Sequence, residues 1–248
     1  LGESYDMSAL RRLGDEGVLA MVCDSTNIFT PGTSGSEGDL YESLRQVIEP
    51  CTGRVVVTCF ASNVARLETV SRVARSLGRE VVLAGRSFWR MIDAAKENGY
   101  LQDVPNFSDE ERCGELPKDK VLIICTGSQG EPRAALSRIA ADDHPRIYLS
   151  GGDTVIFSSR QIPGNEVSIS RMQNRLARRG IDIITDKDHF VHVSGHPAYD
   201  EMLEMYQTIK PQISIPVHGE IRHLKEHAKL ALACQVPQAI VNENGGMI

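Results

Sequence analysis

The 248-residue sequence lacks several features that would place it in a special class of protein. No apolar run reaches ~18 residues, so the sequence predicts no membrane-spanning helix. Its six cysteines form no Cys-x-x-Cys pair and several lie in apolar strand-like runs, so we expect reduced thiols. Lysine and arginine (27) do not outnumber aspartate and glutamate (33). This balance argues against a generally basic nucleic-acid-binding protein, although it allows a local basic groove.

The beginning of the chain also lacks two familiar features. The stretch LGESYDMSALRRLGDEG is polar and charged, so no signal peptide is expected. The first residue is Leu1 and not methionine. We therefore expect the chain to be a segment of a longer protein.

Short runs rich in valine and isoleucine alternate with helical periodicities along most of the chain. This alternation predicts an α/β fold, with a parallel sheet covered by helices on both faces. The longest polar stretch between elements covers residues 103–120. The strands are predicted within residues 18–23, 54–60, 80–85, 120–127, 146–159, 181–185, 212–220 and 238–245. The helices are predicted within residues 40–50, 63–78, 87–99, 131–143, 165–180, 198–211 and 221–235.

Small polar residues follow three of the predicted strands. They are Ala61-Ser62-Asn63, the run GSQGEP at 127–132, and Gly151-Gly152-Asp153. Ligands of parallel sheets bind at the carboxyl ends of strands, and free N–H groups at helix starts suit an anion. Plain helix capping by serine is the alternative, and the sequence leaves both open. We expect the loops of Ser62 and Ser194 to bind one phosphate together, with His192 beside it.

Six of the seven histidines lie between residues 189 and 227. His192 and His196 stand four apart in VHVSGHPAYDEM, and His218 follows a predicted strand in SIPVHGE. His218 is either a metal ligand or a structural imidazole. His223 and His227 lie in a charged helical stretch, so we expect both to be solvated. A zinc site needs three or four ligands, and the sequence contains no His-x-His-x-Asp run.

Several charged residues follow strand ends or begin the next helix. Glu37, in the glycine-rich run GSEGD, would ordinarily be a solvated carboxylate. A set of arginines predicts a groove for a phosphodiester backbone, although ordinary surface arginines are the alternative. These arginines are Arg66, Arg86, Arg90, Arg133, Arg138 and Arg160.

Taken together, these stretches resemble ribonuclease J, of the β-CASP branch of the metallo-β-lactamase superfamily. The matching runs are CDSTN, GSEGD, TCFASNVAR, LAGRS, ICTGSQGEP, ALSRIA, GGDTVIFSS, IPGNE, VHVSGH and IPVHGE. The resemblance implies a parallel-sheet β-CASP domain with helices on both faces, plus partial metallo-β-lactamase αββα elements. It divides the chain into residues 1–28 and 189–248, which belong to the metallo-β-lactamase domain, and residues 29–188, which form the β-CASP domain.

The resemblance also implies roles for individual residues. Glu37 matches the first acidic β-CASP motif, His196 matches a histidine that assists proton transfer, and His218 matches a metal ligand. The RNA phosphate would be held by Ala61, Ser62, Asn63, His192, Val193, Ser194, Gly195 and His196. The intact protein would bind two zinc ions, with the other ligands in an HxHxDH motif upstream of Leu1. Asp24 in CDSTN is not matched to the family's bridging aspartate.

The function implied for the intact protein is metal-dependent RNA processing and degradation. The family acts as a 5′-to-3′ exonuclease, with endonuclease cleavage as a further activity, in cytoplasmic rRNA processing and mRNA decay. Its substrate would be single-stranded RNA with a 5′-monophosphate, and a homo-oligomer is one option for the intact protein. We expect this chain alone to be inactive and to bind zinc weakly. A β-CASP nuclease acting on DNA and a non-catalytic phosphate-binding α/β module are the alternatives.

Overall fold

The structure is a computed structural model that describes residues 5–248. It contains eight α-helices and eight β-strands within these residues, with short 3-10 turns between some of them. In chain order the elements are α1 (Met7–Glu16), β1 (Ala20–Asp24), α2 (Leu40–Ile48), β2 (Val55–Thr58), α3 (Val64–Ser76), β3 (Glu80–Ala84), α4 (Arg86–Glu97), β4 (Val121–Cys125), α5 (Ala135–Ala140), β5 (Thr154–Phe157), α6 (Glu166–Arg178), β6 (Asp182–Ile184), α7 (Tyr199–Ile209), β7 (Ile213–Val217), α8 (Ile221–Ala233) and β8 (Gln238–Ala239).

The described chain divides into two compact units. The first covers residues 36–193, and the second combines residues 5–35 with residues 194–248. The divisions therefore fall after residues 35 and 193, whereas the boundaries expected from the sequence lay after residues 28 and 188. Residues 29–35 stay with the second unit because Ser34 donates two hydrogen bonds to Glu201. Residues 189–193 stay with the first because Val191 is fully buried in its core.

The first unit is built on a five-stranded parallel sheet with the strand order β3-β4-β2-β5-β6. Successive residues of a strand face opposite sides of the sheet. Val55 and Val57 pack into a core shared with α2, α3 and α4, whereas Val56 packs into a second core shared with α5 and α6. Helices therefore cover both faces of the sheet, which confirms the α/β class predicted from the alternating apolar runs.

Two predicted strands are shorter than their apolar patterns suggested. The strand expected over residues 146–159 is confined to β5, because a turn precedes it. In this turn Asp153, which is fully buried, accepts hydrogen bonds from the backbone N–H groups of Arg54 and Ser150 at 2.8 and 2.9 Å. The strand expected over residues 238–245 is reduced to the two residues of β8.

The second unit contains a three-stranded parallel sheet with the order β1-β7-β8, together with α1, α7 and α8. Its buried cluster includes Ile28, Met202, Tyr206 and Leu230. Helix α1 was not expected from the sequence; it begins where the side chain of Asp6 accepts a hydrogen bond from the N–H of Ala9.

One face of this three-stranded sheet remains open to solvent in the described chain. Along β1, Val22 is 63% exposed, whereas Met21 and Cys23 are partly buried. Val217, at the end of the neighbouring strand, is 37% exposed. The alternation shows a sheet with one covered face and one uncovered apolar face.

The six cysteines are all free, as expected from their spacing. Burial raises the pKa of Cys59 to about 12, so this thiol stays protonated at neutral pH. Among the helices of residues 5–248, none has the length and apolar character needed to cross a membrane.

Candidate metal centre and phosphate-binding segments

Asp24, His196 and His218 come together in the second unit. Asp24 is the last residue of β1, and its partner in the parallel ladder is Val217 at the end of β7. His218 follows β7 directly, so the two strand ends place Asp24 and His218 side by side. His196 comes from the loop that precedes α7.

The three side chains are joined by short contacts. His196 Nδ1 lies 2.7 Å from Asp24 Oδ2, and His218 Nδ1 lies 3.9 Å from the same oxygen. The two imidazole rings are 5.0 Å apart, centroid to centroid. Because a carboxylate can only accept hydrogen bonds, Nδ1 of His196 carries the proton in this pair, which leaves Nε2 available for other partners.

Both oxygens of the Asp24 carboxylate have a hydrogen-bond partner in the protein. Oδ1 accepts a hydrogen bond from the backbone N–H of Thr26 at 2.7 Å, while Oδ2 accepts from His196. Partial burial by itself raises the pKa of Asp24, but these hydrogen bonds outweigh it, and the pKa is lowered below its ordinary value. Asp24 is therefore ionised at neutral pH and acts as a fixed acceptor for His196.

His218 is held in an unusual backbone conformation. Its φ is +58°, in the left-handed region that side chains other than glycine seldom adopt. Thr26 Oγ1 lies 2.8 Å from His218 Nδ1 and donates to the His218 carbonyl oxygen at 3.1 Å. Next to it, a Cβ on Gly219 would lie 2.8 Å from the Cβ of His223, so only glycine fits there. Strain of this kind clusters at functional sites.

His196 is also positioned through its backbone. Its N–H donates to Ser194 Oγ at 3.1 Å, and its carbonyl oxygen accepts from Asn27 Nδ2 at 3.0 Å. Asn27 Nδ2 also donates to Ser194 Oγ at 2.9 Å. Ser194 Oγ thus accepts two hydrogen bonds, and its own O–H proton can be donated elsewhere.

The donor set of this group fits zinc. One carboxylate and two imidazoles are ligand types that zinc prefers, and the candidate ligand atoms lie within 4.8 Å of one another. His218 uses Nδ1 toward Thr26, so Nε2 can face a metal. Among residues 5–248, these three side chains form the one cluster of three or more His, Cys, Asp or Glu residues that could hold a metal ion.

Glu37 belongs to the first unit, where it pairs with Arg66. Arg66 Nε lies 2.5 Å from Glu37 Oε1, and Arg66 Nη2 lies 3.0 Å from Oε2. Glu37 is 20% exposed and Arg66 is completely buried. Glu37 is therefore not the solvated carboxylate that would be ordinary in such a loop, and Arg66 is not a groove arginine, since its guanidinium is engaged inside the protein.

His192 lies beside this ion pair. Its Nδ1 is 3.4 Å from Arg66 Nη1. Burial, together with the positive charges of Arg66 and Arg160, lowers the pKa of His192 to about 4. The ring is therefore neutral at pH 7. The adjacent Val193 is buried, so its side chain serves the core.

The segment of Ala61, Ser62 and Asn63 follows β2 and starts α3. Asn63 is the capping residue, because its side chain accepts a hydrogen bond from the backbone N–H of Arg66 at 2.9 Å. Ser62 is exposed and takes no part in the cap. Capping therefore does not account for Ser62, which remains a candidate phosphate donor.

The predicted site residues thus fall in both units. Ala61, Ser62, Asn63, His192 and Val193 belong to the first, together with Glu37, whereas Ser194, Gly195, His196 and His218 belong to the second. The second unit brings His196 and His218 together, and the roles of both histidines stay predictions. The shared use of one anion by Ser62 and Ser194 stays a prediction.

Three side chains of the second unit were missed. Asp24 and Thr26 contact the histidines of the site, and the polar run after a buried strand in CDSTN was the signal that could have found them. His227 was expected to be solvated, and this was wrong, because its side chain is fully buried. Its helix carries charge, but His227 lies on the face that packs inward.

Two models of known protein families match this chain. A family model described as the β-CASP domain of ribonuclease J matches residues 52–176, half of the chain. A second, described as a Zn-dependent metallo-hydrolase RNA specificity domain, matches residues 170–236. The chain belongs to the ribonuclease J β-CASP family, which confirms the resemblance seen in its sequence motifs.

Curated relatives match over all or nearly all of the chain. Ribonuclease J of Sinorhizobium meliloti is 49% identical over 248 residues, which are 100% of this chain and 44% of the relative. Ribonuclease J of Mycolicibacterium smegmatis is 42% identical, covering 98% of this chain and 44% of the relative. Ribonuclease J 1 of Streptococcus pyogenes is 40% identical, covering 100% and 45%. The chain thus spans less than half the length of these relatives.

Proposed function

We propose that the protein containing this chain is a metal-dependent ribonuclease that hydrolyses RNA phosphodiesters. The observation that carries the proposal is the cluster of Asp24, His196 and His218 at adjoining strand ends. The relatives are named ribonucleases, and the second matching family model is described as a Zn-dependent metallo-hydrolase RNA specificity domain. Two zinc ions would need ligands beyond this group, from the part of the relatives' length that this chain does not span.

Within this group, His218 would hold a zinc ion through Nε2. When bound, zinc supplies Lewis-acid polarisation of the phosphoryl oxygens. His196 would transfer a proton at the scissile phosphate through Nε2. Asp24 would fix the proton on Nδ1 of His196 and stabilise the imidazolium that forms when Nε2 takes up a proton. A carboxylate that orients a histidine in this way is a recurrent device of hydrolases.

Both oxygens of Asp24 already accept hydrogen bonds from the protein. These contacts support a role in which Asp24 positions His196, and within this group we assign the metal to His218. Glu37 was matched to the acidic motif from the sequence alone. Its bidentate contact with the buried Arg66 supports a structural role in the first unit.

Phosphate recognition is proposed for segments of both units. In the first unit, the exposed Ser62 and the neutral ring of His192 can bind phosphate oxygens. In the second, Ser194 has a hydroxyl proton to donate, since its oxygen accepts two hydrogen bonds. A terminal phosphate needs several such donors. We extend the proposal to 5′-to-3′ exonuclease action on 5′-monophosphorylated RNA, with endonuclease cleavage besides.

The same family character supports a cytoplasmic role in rRNA processing and mRNA decay, and a homo-oligomeric state of the intact protein. These parts of the proposal follow from family membership alone.

The direct test compares matched RNA and DNA oligomers as substrates of the intact protein. Cleavage of the RNA strand in the presence of zinc, with the DNA strand left intact, is the expected result. Equal cleavage of both would instead assign a nuclease without sugar preference. Phosphate binding with no cleavage of either would assign a non-catalytic module.

A further inference from the structure

The second unit contains a buried chain of hydrogen bonds that the proposed reaction does not use. Ser25 Oγ lies 2.8 Å from Nδ1 of His227, and Nε2 of the same ring lies 2.8 Å from the Tyr206 hydroxyl. That hydroxyl lies 2.6 Å from Ser214 Oγ. The four residues come from four segments: the position directly after β1, helix α8, helix α7 and strand β7.

Every residue of this hydrogen-bonded series is fully buried: the exposed fraction is 0% for Ser25, Tyr206, Ser214 and His227. Buried polar groups destabilise a protein unless they are hydrogen-bonded, and apolar residues could fill the same space at less risk. Both nitrogens of His227 have a partner, which fixes the ring. The Tyr206 ring packs edge-on to it with centroids 5.5 Å apart.

This series of hydrogen bonds ends at Ser25, which lies in the sequence between Asp24 and Thr26, two residues that contact the histidines of the candidate site. Asp24, Ser25 and Thr26 are consecutive, and each bonds a different histidine. Asp24 binds His196, Ser25 binds His227, and Thr26 binds His218. A single short segment therefore organises three imidazoles, of which two belong to the proposed centre.

The direction of the three side chains follows from the backbone. Neighbouring side chains in extended backbone point to opposite sides. Ser25 points into the unit, and its N–H donates to the carbonyl oxygen of Val217 at 2.8 Å. With Ser25 held inward, the side chain of Asp24, the last residue of the strand, points to the opposite side, and Thr26 begins the turn in which the Ile28 N–H donates to the Ser25 carbonyl oxygen at 3.2 Å.

We infer that Ser25, His227, Tyr206 and Ser214 form a positioning network, which orients Asp24 and Thr26 so that His196 and His218 present Nε2 to the substrate and the metal. The inference rests on the proposed function. The four residues do not touch the reacting atoms; they act through Asp24 and Thr26. Positioning residues of this kind typically affect metal affinity or activity by about 10- to 100-fold.

Two variants remove single links of the network. Tyr206→Phe deletes one hydroxyl and keeps the ring, and Ser25→Ala deletes the hydroxyl that reaches His227. Val236→Ala is the matched control, because Val236 packs in the same buried cluster as Tyr206 but makes no hydrogen bond in the network. This substitution lowers the stability of the second unit but leaves every hydrogen bond of the network in place.

The first readout needs no metal and no activity. In the 248-residue chain, 15N-edited NMR of the histidine rings should show His196 with its proton on Nδ1 as a single tautomer. Ser25→Ala and Tyr206→Phe should give mixed tautomers at His196 or His218, while Val236→Ala keeps the parent pattern. Backbone amide spectra establish that each variant is folded.

The second readout is RNA cleavage by the intact protein. We expect kcat to fall about 10-fold in Ser25→Ala and Tyr206→Phe, with KM within about twofold, since outer residues orient the reacting groups and do not bind substrate. Ring spectra and kcat like those of Val236→Ala would overturn the inference. Altered ring spectra in a protein whose unmodified form cleaves no RNA would instead contradict the proposed function.

Discussion

The carboxylate of Asp24 lies 2.7 Å from Nδ1 of His196, although the two residues are 172 positions apart in the chain. Asp24 closes a strand, and His196 comes from a loop that two hydrogen bonds of Asn27 hold in place. The pair matches the geometry in which a fixed acceptor sets the tautomer of a histidine for proton transfer. This relationship is the core of the functional account.

Glu37→Gln should destabilise the first unit and leave the chemistry intact. Arg66 is completely buried, and loss of its carboxylate partner leaves a buried charge uncompensated. Removal of one partner of such a pair costs about 3 kcal/mol of unfolding free energy. Urea unfolding followed by circular dichroism measures the loss.

The matched control is Glu49→Gln. Glu49 pairs with Arg45 at 3.0 Å, but its side chain is 55% exposed. Surface pairs of this kind contribute at most about 1 kcal/mol. If the two variants lose equal stability, or if Glu37→Gln abolishes RNA cleavage while it remains fully folded, the structural role of Glu37 is wrong.

His192 should make the protein less stable in acid. Its folded-state pKa is about 4, below the ordinary value of 6.5, because the ring is buried beside Arg66 and Arg160. Between about pH 4 and pH 6.5, His192 is therefore protonated in the unfolded chain but neutral in the folded protein. This contribution to stability is present above about pH 6.5 and is lost progressively as the pH falls toward about 4.

His192→Asn should remove this part of the pH dependence. Urea midpoints at about pH 7.5 and about pH 5 give the comparison, since the variant has no imidazole to protonate at this position. We expect a smaller difference between the two midpoints in the variant than in the parent. An unchanged difference would mean that His192 titrates alike in the folded and unfolded states.

Much of the fold could be predicted from the sequence, because strands of a parallel sheet with helices on both faces are buried on both sides and therefore form continuous apolar runs. The runs around Val55–Thr58 and Val121–Cys125 are continuous apolar stretches, and both became central strands. Helix α1 was missed because its residues are mostly polar and none is buried. The polar run Gly151-Gly152-Asp153 was noticed, but the strand expected before it did not form, and the buried carboxylate of Asp153 holds a turn there.

The candidate site was predictable only where a residue type carried the signal. His196 and His218 stood out because each lies beside a glycine, and His218 also follows a predicted strand. Asp24 did not, because its importance lies in a long-range contact with His196 that local sequence does not reveal. His227 was misjudged for the same reason, since its two partners, Ser25 and Tyr206, are brought to it by tertiary packing.

Ser194→Ala should weaken exonuclease action on 5′-monophosphorylated RNA more than internal cleavage. The hydroxyl of Ser194 accepts two hydrogen bonds and has a proton left for an anion. Rates on 5′-monophosphorylated and 5′-hydroxyl RNA measure the preference. Equal losses on both substrates would mean that Ser194 serves mainly to hold the backbone of His196.

The 248-residue chain by itself should bind zinc weakly and should not cleave RNA. In residues 5–248 one group of three ligands comes together, and Asp24 in this group is already engaged by His196 and Thr26. Isothermal titration with zinc should give a dissociation constant far weaker than that of a complete four-ligand site. Metal-dependent cleavage by this chain at the rate of the intact protein would contradict the ligand count.

The most direct test of the account is the steady-state cleavage of RNA by the intact protein carrying Asp24→Asn, with zinc content measured on the same sample. His218→Ala serves as the reference for a lost metal ligand. We expect Asp24→Asn to lower kcat by about 100-fold or more, because His196 loses the acceptor that sets its tautomer. KM and zinc content should be retained in Asp24→Asn, whereas His218→Ala should lose zinc. A kcat within about threefold of the parent, or a loss of zinc equal to that of His218→Ala, would contradict the assignment of Asp24 as the residue that positions His196.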